Sequence, residues 1–94
     1  MKHCIIAKFN DTVTDKAAMI DRIEALFSSA PALDGIHGHT VLRNCVDREN
    51  RYDLAIVIDM DEAALPAWDA SGLHREWKSR FGSYLAAKAI FDFE

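Results

Sequence analysis

Tyr52-Asp53-Leu54-Ala55-Ile56-Val57-Ile58-Asp59-Met60 is the stretch that decides the fold of this chain. It is rich in β-branched and large aliphatic residues, which fit a pleated, partly buried surface, and it predicts the strongest strand of the sequence. Successive side chains of a strand point to opposite sides of its sheet. Leu54, Ile56 and Ile58 therefore share one side, and Ala55 and Val57 share the other. Both sides are apolar, so the sheet containing this strand has to be covered twice.

The elements on either side follow from the same rules. Toward the C-terminus, Asp61 can cap a helix over Glu62–Trp68, which Pro66 should bend or shorten. Ser71-Gly72 interrupts the chain, Leu73–Leu85 reads as a further helical stretch, and Ala86–Phe93 as the last strand. Toward the N-terminus, Asn44–Arg51 is a polar loop. Before it, Ile36–Arg43 is a strand weakened by Gly38 and entered through the turn Asp34-Gly35. Met19, Ile20, Ile23, Leu26 and Phe27 recur at helical spacing, behind Thr12-Val13-Thr14-Asp15, which resembles a capping box. Ser28-Ser29-Ala30-Pro31 ends that helix, because a residue before proline avoids the helical region. Lys2–Phe9 is the first strand. The order β-α-β-β-α-β, with the second helical region in two pieces, predicts an α+β, ferredoxin-like protomer. Its four-stranded antiparallel sheet carries helices on one face.

Ninety-four residues make one domain, residues 1–94, with a modest core of its own. Half of the residues are hydrophobic and 28% are charged, as in an ordinary folded protein, and the net charge is −4. The basic residues are scattered, and Asp47 and Glu49 interrupt the one local cluster, Arg43–Arg51, which argues against nucleic acid as a partner. No apolar run is long enough to span a membrane, and no secretory segment precedes the first strand. With Cys4 and Cys45 outside any CxxC pair, a cytoplasmic location with reduced thiols is expected. No glycine-rich phosphate loop, nucleophile elbow or HExxH occurs, and no cofactor is expected.

In the first strand His3, Ile5 and Ala7 share one side, and Cys4, Ile6 and Lys8 the other. In the last, Ile90 and Asp92 oppose Ala89, Phe91 and Phe93. The helices of one chain cover one face only. The face assigned to Ile6, Leu54, Ile56, Ile58, Phe91 and Phe93 is then left bare. Burying a large apolar side chain contributes about 1.5–3 kcal/mol, so six are comparable with the roughly 4–15 kcal/mol cost of association. A two-fold, sheet-on-sheet homodimer is the simplest closed solution.

KHCIIAKF at the N-terminus, Arg51–Ile58, the spaced Trp68 and His74, and the closing Ile90-Phe91-Asp92-Phe93 together resemble the dimeric α/β-barrel, or stress-responsive A/B barrel, family over nearly the whole chain. The resemblance implies two protomers with their sheets face to face in a barrel. From a plant polyketide cyclase of the family it further implies a pocket between the sheet and helices of one protomer. In that reading His74 is a general base, Asp92 on the last strand orients it, and His3 also faces the pocket. Ile5, Ala7, Val57, Trp68, Trp77 and Ile90 are its expected ligand-binding walls. Ser71 and Gly72 stand where those relatives carry a His-Pro pair, and Trp68 stands for a tyrosine.

A carboxylate on one ring nitrogen of a histidine fixes its tautomer and raises the basicity of the other nitrogen. Antiparallel first and last strands would bring His3 beside Asp92. His37 and His39, two apart on a strand, are expected to point the same way, toward the barrel side. That spacing could ligate a metal, but no third ligand is evident and no metal is assigned. The expected function is thus a stress-responsive A/B barrel protein that binds a small hydrophobic, carbonyl-bearing ligand, with cyclase-like His/Asp base chemistry. The alternative is a non-catalytic, stress-related structural homodimer.

Overall fold

A computed structural model describes all of residues 1–94. Its elements are β1 (Lys2–Phe9), α1 (Lys16–Phe27), β2 (Ile36–Arg43), β3 (Leu54–Met60), α2 (Leu65–Asp69), α3 (Gly72–Phe81) and β4 (Leu85–Phe93), with short 3₁₀ turns at Ala30–Ala32, Glu62–Ala64 and Gly82–Tyr84. The strands form one antiparallel sheet in the order β2-β3-β1-β4, with α1, α2 and α3 on one face. This is the ferredoxin-like plan.

Several boundaries differ from the sequence expectation for local reasons. α1 is capped by Asp15, whose carboxylate accepts from the Ala18 amide; Thr12 instead closes a turn on the Asn10 side chain. Pro66 does not bend a helix. It lies in the first turn of α2, where a missing N–H costs nothing. β3 begins at Leu54, because the Asp53 carboxylate is engaged across the sheet end, accepting from the Phe9 amide at 2.7 Å and from Lys16 Nζ at 2.9 Å. Gly35 turns the chain into β2 with φ 79°, and a Cβ there would lie 2.7 Å from that of Ala64.

The pairing of strands corrects the assignment of sheet faces. His3, Ile5 and Ala7 of β1 lie opposite Ile58, Ile56 and Leu54 of β3, and directly paired residues share a face. Leu54, Ile56 and Ile58 are therefore on the helix-covered side, each no more than 2% exposed, and are not part of a bare face. They pack with Ile23, Phe27, Trp68, Trp77 and Phe81 in the single core. The residues turned away from the helices are Cys4, Ile6, Ala55, Val57, Phe91 and Phe93, with Thr40 and Leu42 from β2. Parity within each strand was legible, but the sequence expectation joined the strands with the wrong relative phase.

His37 and His39 are also separated. The pairing of β2 with β3 slips between Ile36 and Gly38. His39 pairs with Ile58 on the helix side, whereas His37 is exposed and its Nε2 lies 2.9 Å from Asp61 Oδ1. The slip breaks the alternation that would have aligned the two rings.

Candidate acid–base site

The first and last strands bring together two residues from opposite ends of the chain. His3 pairs directly with Asp92 across β1 and β4, and its Nδ1 lies 2.5 Å from Asp92 Oδ1. The imidazole is buried while the carboxylate is partly open to solvent. A carboxylate only accepts, so Nδ1 carries a proton, and in the neutral ring Nε2 keeps the lone pair.

His74 is positioned by a helix start. Ser71 has extended backbone angles and caps α3, its Oγ accepting from the His74 amide at 3.1 Å while donating to the Trp68 carbonyl at 2.7 Å. The His74 ring then folds back so that Nδ1 donates to the Asp69 carbonyl at 3.0 Å. This again leaves Nε2 as the basic nitrogen. Asp92 was expected to orient His74. The structure gives that task to the Asp69 carbonyl, and Asp92 holds His3.

Trp68 joins the two histidines. Its indole lies 6.4 Å from the His3 ring and 5.3 Å from the His74 ring, centre to centre. It continues through Phe27 to Trp77 and Phe81, with ring separations of 5.9, 5.4 and 5.8 Å. Trp68 is only 1% exposed, and its Nε1–H is the one buried side-chain polar atom without a hydrogen-bond partner. Buried donors are nearly always paired, and an orphan costs about 1–3 kcal/mol.

Among the expected wall residues, Ile5, Ala7, Trp68 and Trp77 lie together on the helix side and are fully packed. Ile90 is on the same side of β4 but half exposed, because no helix reaches over that edge strand. Val57 pairs with Cys4 and points to the other face, so it is not beside Ile5 and Ala7. The four surface depressions of the protomer are lined by other residues, around Lys16 and Asp53, around Leu42 and Tyr52, and along Leu85–Lys88. The two tryptophans fill the space between sheet and helices.

The sequence reading missed three elements of this site: the Asp69 carbonyl, the Ser71 cap and the orphaned indole N–H. The Ser71 cap was signalled by a serine three residues before His74 at a helix start, whereas a backbone carbonyl leaves no mark in the sequence. The third depends on packing and has no sequence signal. Burial pushes the Cys4 thiol above its usual range, and the Asp92 charge adds to that. No group of three or more metal-ligating side chains is assembled, and no helix is long and apolar enough to cross a membrane.

The chain matches the stress-responsive A/B barrel domain over residues 1–94. No curated protein matches it. Among solved structures it is similar to a dimeric ferredoxin-like protein of unknown function from Thermobifida fusca, with 23% identity and a TM-score of 0.81 over 98% of this chain and 87% of that one. A protein from Arabidopsis thaliana is 18% identical, with a TM-score of 0.79 over 99% and 92% of the two chains. A hydroxynitrile lyase from Passiflora edulis is 13% identical, with a TM-score of 0.77 over 98% and 89%. At these identities the structural likeness speaks for the fold, and the match along the whole sequence establishes that the chain belongs to the stress-responsive A/B barrel domain family.

Proposed function

We propose that the chain works as a homodimer in the cytoplasm, and that each protomer binds a small, largely apolar, carbonyl-bearing molecule beside Trp68, with His74 as general base. The observation that carries this reading is the orphaned Nε1–H of Trp68, whose ring lies near both His3 and His74. A carbonyl oxygen is the acceptor that donor lacks. Bound there, the carbonyl would be polarised by the indole N–H, and the His74 Nε2 lone pair would take a proton from the adjacent carbon. The Asp69 carbonyl stabilises the imidazolium that forms, and the His3–Asp92 pair holds a second imidazole near the same indole. The hydroxynitrile lyase with the same fold supports the idea that this scaffold can house chemistry. The dimeric relative from Thermobifida fusca supports the assembly.

The close packing of Trp68 and Trp77 favours a second reading, in which the protein is a non-catalytic, stress-related dimer. A thermal-shift screen separates the two. Wild type, His74→Ala and Trp68→Phe are titrated with β-keto acyl chains, phenolic ketones and fatty acids. On the ligand reading, a carbonyl compound raises the wild-type melting temperature and the two variants lose that response. A flat response of wild type to every carbonyl compound would leave the structural reading in place.

A further inference from the structure

We infer that α2 is a flap over the Trp68 site, held shut by the side chains of His74 and Arg75. The inference rests on the ligand site proposed above and adds how a molecule enters it. The Trp68 Nε1–H is sealed from solvent, and none of the four surface depressions is lined by Trp68. An acceptor reaches that donor only when a segment of the chain moves aside.

The segment with least to hold it is α2. It is five residues long, and Trp68 is its one buried side chain, with Pro66, Ala67 and Asp69 exposed. Few buried apolar contacts mean low local stability. Ala64 precedes the helix and Ala70 follows it, and small residues at element ends are suited to act as hinges. What fastens the C-terminal end of α2 is polar and comes from the start of α3. The Ser71 hydroxyl donates to the Trp68 carbonyl at 2.7 Å, His74 Nδ1 to the Asp69 carbonyl at 3.0 Å, and Arg75 Nη1 to the Ala70 carbonyl at 2.8 Å. Three successive carbonyls that a helix end leaves open are thus held by three side chains. Arg75 is itself exposed, and the bond to Ala70 is the only hydrogen bond its side chain makes.

Lifting α2 breaks the bonds from His74 and Arg75 together and carries Trp68 outward. The indole N–H then meets solvent, and His74 loses the carbonyl that orients its ring. Closure restores both. The polarising donor and the oriented base are therefore assembled only over a molecule already inside, with water shut out. Arg75 touches neither the indole nor the base in this scheme. It is a positioning residue that sets how often the flap opens.

Hydrogen exchange of the two indole N–H groups, followed by NMR on the full chain, tests the flap without any ligand. Trp77 lies in α3 and is as buried as Trp68, so it reports opening of the core as a whole. Arg75→Ala alters an exposed side chain and should leave the circular dichroism spectrum unchanged. It should speed exchange at Trp68 by about three- to tenfold, the effect of losing one hydrogen bond, and leave Trp77 as it was. Arg75→Lys, which keeps a donor, should recover part of the difference. Equal acceleration at both indoles, or none at either, overturns the flap. Acetophenone, a small apolar ketone, then tests entry through quenching of tryptophan fluorescence in stopped flow. It should bind Arg75→Ala faster than wild type by the factor seen in exchange. Binding at equal rates overturns the flap as the way in. Exchange that follows the expected pattern without any binding of acetophenone counts against the ligand site and leaves the flap standing.

Discussion

His3 and Asp92 are 89 residues apart in sequence and 2.5 Å apart in space, joining the two strands that begin and end the chain. The imidazole is buried and the carboxylate is partly open to water. Asp92→Ala should therefore cost about 1.5 kcal/mol, the low end for a hydrogen bond to a charged group. Urea denaturation reads that cost, and the downfield Nδ1 proton signal of His3 should disappear with it. An unchanged urea midpoint would mean that the pair contributes nothing to stability.

Trp68 and Trp77 are equally buried, but only Trp68 holds an orphaned donor. Replacing either by phenylalanine removes ring volume. At Trp68 the substitution also removes a buried unpaired N–H, which offsets about 1–3 kcal/mol of the loss. Trp68→Phe should thus be the milder change by about that amount in the same denaturation assay. Equal losses at the two positions would show that the Trp68 N–H is satisfied in solution.

Ser71 both caps α3 and fixes the peptide that places His74. Ser71→Ala should lower stability by about 0.5–2 kcal/mol, while Ser71→Asp, which retains a capping oxygen, should restore most of it. Thermal unfolding of the three proteins side by side is the measurement.

Gly35 carries a positive φ and faces the Ala64 Cβ, which leaves no room for a side chain. Gly35→Ala should destabilise by more than about 1 kcal/mol, while the same change at Gly38, where nothing lies within 4 Å, should cost far less. A comparable effect at both sites would point to the glycine content of β2 instead of the turn.

The two thiols should behave differently. Cys45 is exposed and should react first with iodoacetamide in the native protein, and Cys4 should react slowly, being buried with its thiol pushed above the usual range. Because the folded value is raised, the unfolded chain releases the Cys4 proton first. The stability that Cys4 contributes is complete below about pH 8.5 and is lost as pH rises through its folded value. Cys4→Ala should flatten part of the alkaline decline seen in urea midpoints between neutral and alkaline buffer.

Element order, strand parity and the main helix could all be read from the residues, because period-2 and helical spacing are local properties of β3 and α1. The relative phase of the strands could not. A shift of one residue exchanges faces, and Leu54, Ile56 and Ile58 were assigned to the wrong side for that reason alone. The slip at Ile36–Gly38 misplaced His37 for the same kind of reason. The meeting of His3 with Asp92 followed from topology. The orientation of His74 did not, since its partner is a backbone carbonyl and any residue type could have supplied it.

β4 hydrogen-bonds to β1 alone, and residues 88–94 are exposed on both faces of the sheet. In the proposed dimer, the last strand of each chain is sheltered only while a second chain is present. Dilution would then loosen β4 before the rest, and proteases act on such transiently opened segments. The persistence of the protein in the cell would rise with its own abundance, so that a burst of synthesis yields molecules that outlast those made at a trickle.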